Sequence, residues 1–195
     1  MTEPIRRETT ASLDVRVGSA TNALVPLSRA ERVLTAGPAQ WVALALVFAS
    51  AVLADQGTKA IVTGALRLGE AVEIASFFQI HHVRNSGIAF GFFADGTAIV
   101  IGLTTVAVGA MVWFFRRSAQ RHRLLPVAFG LVLGGSVSNL VDRLRLGNVT
   151  DFLDPAYWPA FNLADTFIVV GVATLFWSFV TTDQASPRTG SRYGS

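Results

Sequence analysis

Four stretches of this chain are apolar over the length that a bilayer demands, and this limits its fold more than any other feature. A helix needs about 20 apolar residues to cross hydrocarbon, and only helices and closed barrels satisfy their backbone groups there. The stretches are Trp41–Ala54, Thr97–Phe115, Leu124–Val141 and Phe161–Val180. The first is short by itself. It reaches span length if its helix begins at Pro38, a favoured first-turn residue, and runs on through Asp55 to about Val62. Composition agrees, because 15% of the residues are charged where a soluble domain carries about 25%. The expected fold is an all-α membrane protein with four transmembrane helices and a small extracytoplasmic β element. With no cysteine in the chain, a disulfide framework, a thiol nucleophile and a thiolate metal site are all excluded.

The basic residues set the expected orientation. Arg116, Arg117, Arg121 and Arg123 crowd the short connection between spans two and three. Arg6, Arg7, Arg16, Arg29 and Arg32 precede span one, and Arg188 and Arg192 follow span four. Short basic loops stay in the cytoplasm, so both termini are expected there. Trp41, Trp113 and Trp177 then mark the inner interface and Trp158 the outer one. This clustering beside apolar runs accounts for the net charge of +3 without a nucleic-acid partner, since no basic patch interleaved with aromatics occurs. Ala49-Ser50-Ala51 resembles a leader-peptide cleavage site, but the region before it is too long for a leader.

Residues 1–37 are polar, mixed in charge and almost free of aromatics, which predicts a disordered cytoplasmic tail. Residues 38–181 are expected to form the membrane domain, and 182–195 a second disordered cytoplasmic tail. Of the outer segments, 63–96 holds a stretch from Glu70 to Val83 rich in Val, Ile and Phe, which reads as a strand or hairpin near the membrane surface. Ser86-Gly87 is a turn signal. In 143–160, Pro155 and Pro159 exclude a long helix.

The polar residues of the spans are grouped. Asp55 and Lys59 close span one, four apart on one face, at a spacing that suits an ion pair. Asn139, Asp142 and Arg143 close span three, below a ridge of small residues at Gly130, Gly134 and Ser138. Asn162 and Asp165 open span four, and Asp151 lies between spans three and four. All fall on the outer side. A carboxylate at the edge of hydrocarbon is costly, so Asp151 and Asp165 are read as functional. Two carboxylates close together share one proton, the working state of an aspartic protease.

Several of these residues have blander uses. Asp142 and Arg143 suit a helix-end ion pair, and Arg143 alternatively orients Asp151 or holds a substrate carbonyl. Asn139 suits a hydrogen bond between helices, and Asn162 a helix cap. Asp154, before Pro155, is expected to be solvated. His81 and His82 do not suggest a metal, since neighbours on a strand point to opposite faces.

Five motifs in this order resemble the signal peptidase II family of membrane aspartyl proteases. They are DQGTK at Asp55–Lys59, NSGIAFG at Asn85–Gly91, SNLVDR at Ser138–Arg143, VTDF at Val149–Phe152 and FNLAD at Phe161–Asp165. The resemblance implies that Asp151 and Asp165 are the catalytic pair, cutting a prolipoprotein just before its diacylglyceryl-modified cysteine in the bacterial inner membrane. It implies that Asn85, Gly87, Asn139, Asp142, Arg143 and Asn162 shape the site or hold substrate, and that Asp55 and Lys59 are a structural pair. It implies no metal or organic cofactor, a monomer, and partners limited to lipidated substrate and membrane lipid. The chain departs from the family at Ser138, where Gly is usual, and at Ile88, where Ala is common. Segment 63–96, with Phe77, Phe78, Phe90, Phe92 and Phe93, is expected to cover the scissile bond. The competing expectations are a proton-coupled transporter and a purely structural four-span protein.

Overall fold

A computed structural model describes residues 36–86, 96–118 and 122–184 of the protein. The expectations for most of both tails, for Arg121, and for Gly87, Ile88, Phe90, Phe92 and Phe93 lie outside the described residues. The described residues belong to one compact unit.

Seven elements follow in order among them: α1 (Pro38–Ala65), β1 (Ala71–Ala75), β2 (Phe78–Asn85), α2 (Gly96–Ser118), α3 (Leu125–Leu146), β3 (Val149–Pro155) and α4 (Leu163–Gln184). All four of these helices are long and apolar enough to span a membrane. Helix α1 begins at Pro38 as expected, with the Gly37 amide donating to Gln40 Oε1 at 3.1 Å, and it runs on past the expected Val62 to Ala65. Its polar face therefore continues the span rather than following it. Helix α4 opens at Leu163 rather than Phe161, which leaves Asn162 as the residue before the helix and Asp165 in its first turn.

Helix α3 is the middle of the bundle, and its glycines explain why. A methyl group at Gly130 would sit 2.7 Å from Val47 Cβ, and one at Gly134 would sit 2.7 Å from Ala51 Cβ, both on α1. On the other flank, a methyl at Gly135 would fall on the carbonyl oxygen of Ala164 in α4. Helix α4 answers with Gly171, where a methyl would meet Val132 and the Ala128 carbonyl oxygen. Lipid gives helices no hydrophobic reason to associate, so backbone approach through small residues takes over that role. Away from the sheet, Trp41, Phe115 and Phe129 join α1, α2 and α3 edge to face, with ring centroids 5.0 and 5.5 Å apart.

The described strands form one antiparallel sheet in the order β1-β2-β3. The expected hairpin is β1 and β2, with Ala71 opposite His81 and Val72 opposite Ile80. Strand β3 has no counterpart in the sequence reading. It pairs with β2 so that Val83 faces Asp151, Arg84 faces Thr150 and Asn85 faces Val149. Gly147 makes this possible. It ends α3 at φ +75°, a left-handed conformation that suits glycine, and its amide donates to the Arg143 carbonyl at 3.0 Å. The chain turns there and enters the sheet at Val149.

Candidate active site

The sheet and three helices deliver polar side chains to one place. Asp151 comes from β3, Asn85 from β2, Asn139, Asp142 and Arg143 from α3, Asp55 and Lys59 from α1, and Asn162 and Asp165 from the start of α4. Asp151, Asn162, Asp55, Lys59, Asn139 and Asp142 are all buried. Buried polar groups are costly unless hydrogen-bonded, and these are connected.

Asn162 joins the two aspartates. Its Nδ2 donates to Asp151 Oδ1 at 2.7 Å, and its backbone N–H donates to Asp165 Oδ2 at 3.2 Å. In return the Asp165 amide donates to Asn162 Oδ1 at 3.0 Å. That reciprocal pair is a helix cap, so the capping use and the site use of Asn162 are both realised. Asn85 Nδ2 donates to the other oxygen, Asp151 Oδ2, at 2.9 Å. Asn139 Nδ2 donates to Asp165 Oδ1 at 2.8 Å. Each aspartate thus receives hydrogen bonds on both oxygens.

Burial pushes the Asp151 carboxyl up to about 6. The hydrogen bonds from Asn85 and Asn162 oppose the rise, the charge of Asp165 adds to it, and Lys59 opposes it. Arg143 lies within the electrostatic reach of Asp165, Asp151 and Asp142. Its Nη1 donates to the Asn139 carbonyl at 3.4 Å, while its Nε is buried with no hydrogen-bond partner among the described residues.

The expected pair on α1 forms, with Lys59 Nζ 2.7 Å from Asp55 Oδ2. It is larger than the spacing suggested, because Asp142 Oδ2 lies 2.8 Å from the same nitrogen. Asp142 therefore pairs with α1 rather than with its neighbour Arg143. Three participants escape the sequence reading as site residues. Ser138 Oγ donates to Asp55 Oδ2 at 2.6 Å, Gln56 Nε2 donates to Asp142 Oδ1 at 2.8 Å, and the Thr150 amide donates to Asp142 Oδ2 at 3.3 Å. Their only signal is position, since each stands within one of the five motifs. Gly87 lies outside the described residues.

Asp154 keeps access to solvent as expected, and it also has partners. It accepts from Gln79 Nε2 at 2.7 Å and lies 2.8 Å from His81 Nδ1, and the Gln79 hydrogen bond, then His81, hold its carboxyl below the usual range. His82 Nδ1 lies 3.0 Å from the Leu66 carbonyl oxygen, so the two histidines have separate partners. Among the described residues no group of three or more His, Cys, Asp or Glu is arranged to hold a metal ion.

Four spans with buried, interlinked carboxylates where they meet a small sheet define a class, the polytopic membrane enzyme. Two solved structures described as bacterial membrane enzymes share this fold. One is 30% identical with a TM-score of 0.66, covering 70% of this chain and 92% of that one. The other is 28% identical with a TM-score of 0.68, covering 76% and 93%. Residues 47–181 match the family model for signal peptidase (SPase) II. The lipoprotein signal peptidase of Symbiobacterium thermophilum is 39% identical over 139 residues, 69% of this chain and 91% of that protein. That of Syntrophotalea carbinolica is 43% identical over 145 residues, 70% of this chain and 90% of that protein. The chain belongs to the signal peptidase II family, and it is a multi-pass membrane protease.

Proposed function

We propose that Asp151 and Asp165 together hydrolyse the peptide bond before the diacylglyceryl-modified cysteine of a prolipoprotein, releasing its signal peptide. The observation that carries this reading is Asn162, which donates to one oxygen of each carboxylate at 2.7 and 3.2 Å. A single short residue thereby ties together two aspartates from different elements.

The chemistry needs one proton on the pair. The ionised carboxylate takes a proton from water as the water oxygen attacks the scissile carbonyl carbon. The protonated carboxyl donates to the carbonyl oxygen. Collapse of the tetrahedral intermediate breaks the C–N bond: the protonated carboxyl gives its proton to the leaving amine of the lipidated cysteine, while the ionised one takes a proton from a hydroxyl of the intermediate, which restores the singly protonated pair. That single proton is shared between the two aspartates in the working state. Asn85, Asn139 and Asn162 hold the carboxylates. Arg143, its Nε unpartnered among the described residues, supplies positive charge for a substrate carbonyl or for the pair.

In this reading residues 38–181 are the membrane domain, and 1–37 and 182–195 are cytoplasmic tails. The arginines of the connection between α2 and α3 lie inside, and the sheet and aspartates lie near the extracytoplasmic face. The enzyme acts as a monomer on lipidated substrate in the bilayer. A transporter is not favoured, because the relatives of this chain are peptidases and its carboxylates meet a sheet at the bundle end rather than the midplane.

The test is cleavage of a diacylglyceryl-modified prolipoprotein by purified protein in detergent. Wild type is expected to cut before the lipidated cysteine, while folded Asp151→Asn and Asp165→Asn variants do not. Cutting at the wild-type rate by either variant removes that aspartate from the mechanism.

A further inference from the structure

We infer that Lys59 is the hub of a positioning frame that sets how the two aspartates stand relative to each other. The inference rests on the paired-carboxylate reading above. An ammonium group has three N–H donors and no acceptor. Lys59, buried in α1, spends all three: on Asp55 Oδ2 at 2.7 Å, Asp142 Oδ2 at 2.8 Å and Asn139 Oδ1 at 2.9 Å.

Each of these partners then holds a point next to, or on, one of the paired aspartates. Asp55 Oδ1 accepts the backbone N–H of Ala164 at 2.9 Å, one residue before Asp165. Asp142 Oδ2 accepts the backbone N–H of Thr150 at 3.3 Å, one residue before Asp151. Asn139, its oxygen turned to Lys59, presents Nδ2 to Asp165 Oδ1 at 2.8 Å. The orientation of that amide follows from the lysine, which can only donate. A pair whose sole use was to fasten α1 to α3 would not need to reach the residue before each aspartate.

Ser138 and Gln56 finish the frame. Ser138 Oγ donates to Asp55 Oδ2 and accepts from Gln56 Nε2 at 3.0 Å, and Gln56 also donates to Asp142. The hydroxyl of Ser138 is thus an engaged donor and acceptor rather than a packing defect. Among the described residues, the charged groups around the pair are Asp55 and Lys59 from α1, Asp142 and Arg143 from α3, and the two aspartates themselves. None of the frame residues is required to touch substrate, so they are positioning residues.

The test measures kcat, KM and the pH–rate profile on lipidated prolipoprotein for the full chain, normalised to folded protein. Lys59→Gln is expected to lower kcat about 100-fold, the size of effect that a misplacement near 1 Å produces. Its KM should stay within about threefold, because no ground-state contact to substrate is removed. Its pH–rate profile should be displaced, since the donors around the pair have moved. Ser138→Ala should do the same on a smaller scale, with kcat down roughly threefold to tenfold, the size expected for the loss of one hydrogen bond. A folded Lys59→Gln enzyme with wild-type kcat and pH profile overturns the frame. If Lys59→Gln does not fold, Ser138→Ala decides, and an unchanged kcat and profile overturns it. Asp151→Asn and Asp165→Asn run alongside. If both are inactive while Lys59→Gln behaves as wild type, the frame alone is wrong. If either aspartate variant cuts normally, the paired reading fails and the frame fails with it.

Discussion

Helices α2 and α3 are nearly equal in length and both read as spans, yet they are opposites. The apolar window of α3 is 67% buried, and that of α2 is 6% buried. Helix α3 carries Asn139, Asp142 and Arg143 and two flanks of glycine contacts. Helix α2 carries basic residues at its last turn, and a methyl at its Gly102 or Gly109 would meet no described atom within 4 Å. Hydrophobicity therefore says that a helix lies in the membrane but not what it faces. A span surrounded by lipid is apolar all round, whereas one surrounded by protein trades apolar bulk for close approach and polar partners.

That contrast is open to test at several points. The largest effect is expected at the site that α3 supports. Asp165→Asn should lower the cleavage rate by about 10³-fold or more in protein that still folds, the scale of a lost acid–base group. Retained cleavage would return α3 and its partners to a structural role.

Next in size is a matched pair of glycine changes. Gly135→Ala drives a methyl onto the α4 backbone, and should cost about 2–3 kcal/mol in detergent unfolding. Gly109→Ala on α2 should change stability by less than about 1 kcal/mol, with helix propensity favouring the alanine. Equal losses at the two positions would erase the distinction between the helices.

A third effect concerns pH. The carboxyl of Asp151 stands at about 6, raised chiefly by burial. If the pair works with one proton, losing the last one ends activity, so kcat/KM should fall as pH rises through about 6. The folded state also holds that proton more tightly than the unfolded chain does. Its contribution to stability is therefore full below the unfolded carboxyl value and is lost as pH rises through about 6. Asn85→Ala removes a donor that favours the ionised form, and should move the basic limb upward by roughly half to one unit. An unmoved limb would show that Asn85 does not govern the titration.

The smallest effect is expected at the sheet's outer cluster. Asp154, held low by Gln79 and His81, contributes stability above its unfolded value that is lost as pH falls through the lowered one. It is close to solvent, so Asp154→Asn should cost less than about 1 kcal/mol and leave cleavage unchanged.

Much of the site is legible without the fold. Asp55 and Lys59 announce themselves by four-residue spacing, and Asp165 by being the only charged residue within the apolar run of its span. Asn139 and Asp142 share a face by their spacing of three. Strand β3 is not legible, because VTDFLDP, which follows a glycine turn and ends in Pro155, has no strict alternation, and its pairing partner lies far away in sequence. The same distance hides the capture of Asp142 by Lys59, since its neighbour Arg143 is the obvious partner by sequence.

Composition and spacing alone establish that this chain has four stretches fit to cross a membrane and which helix ends carry the polar groups, and its five motifs add a resemblance to one family. Those are properties held within single elements. The folded arrangement was needed to show that Asn162 reaches from the start of α4 to an aspartate on β3, and that Lys59 serves two carboxylates and an amide at once. Such contacts join elements far apart in the chain. They depend on how closely glycine lets the helices approach and on where Gly147 sends the strand, and local pattern records neither.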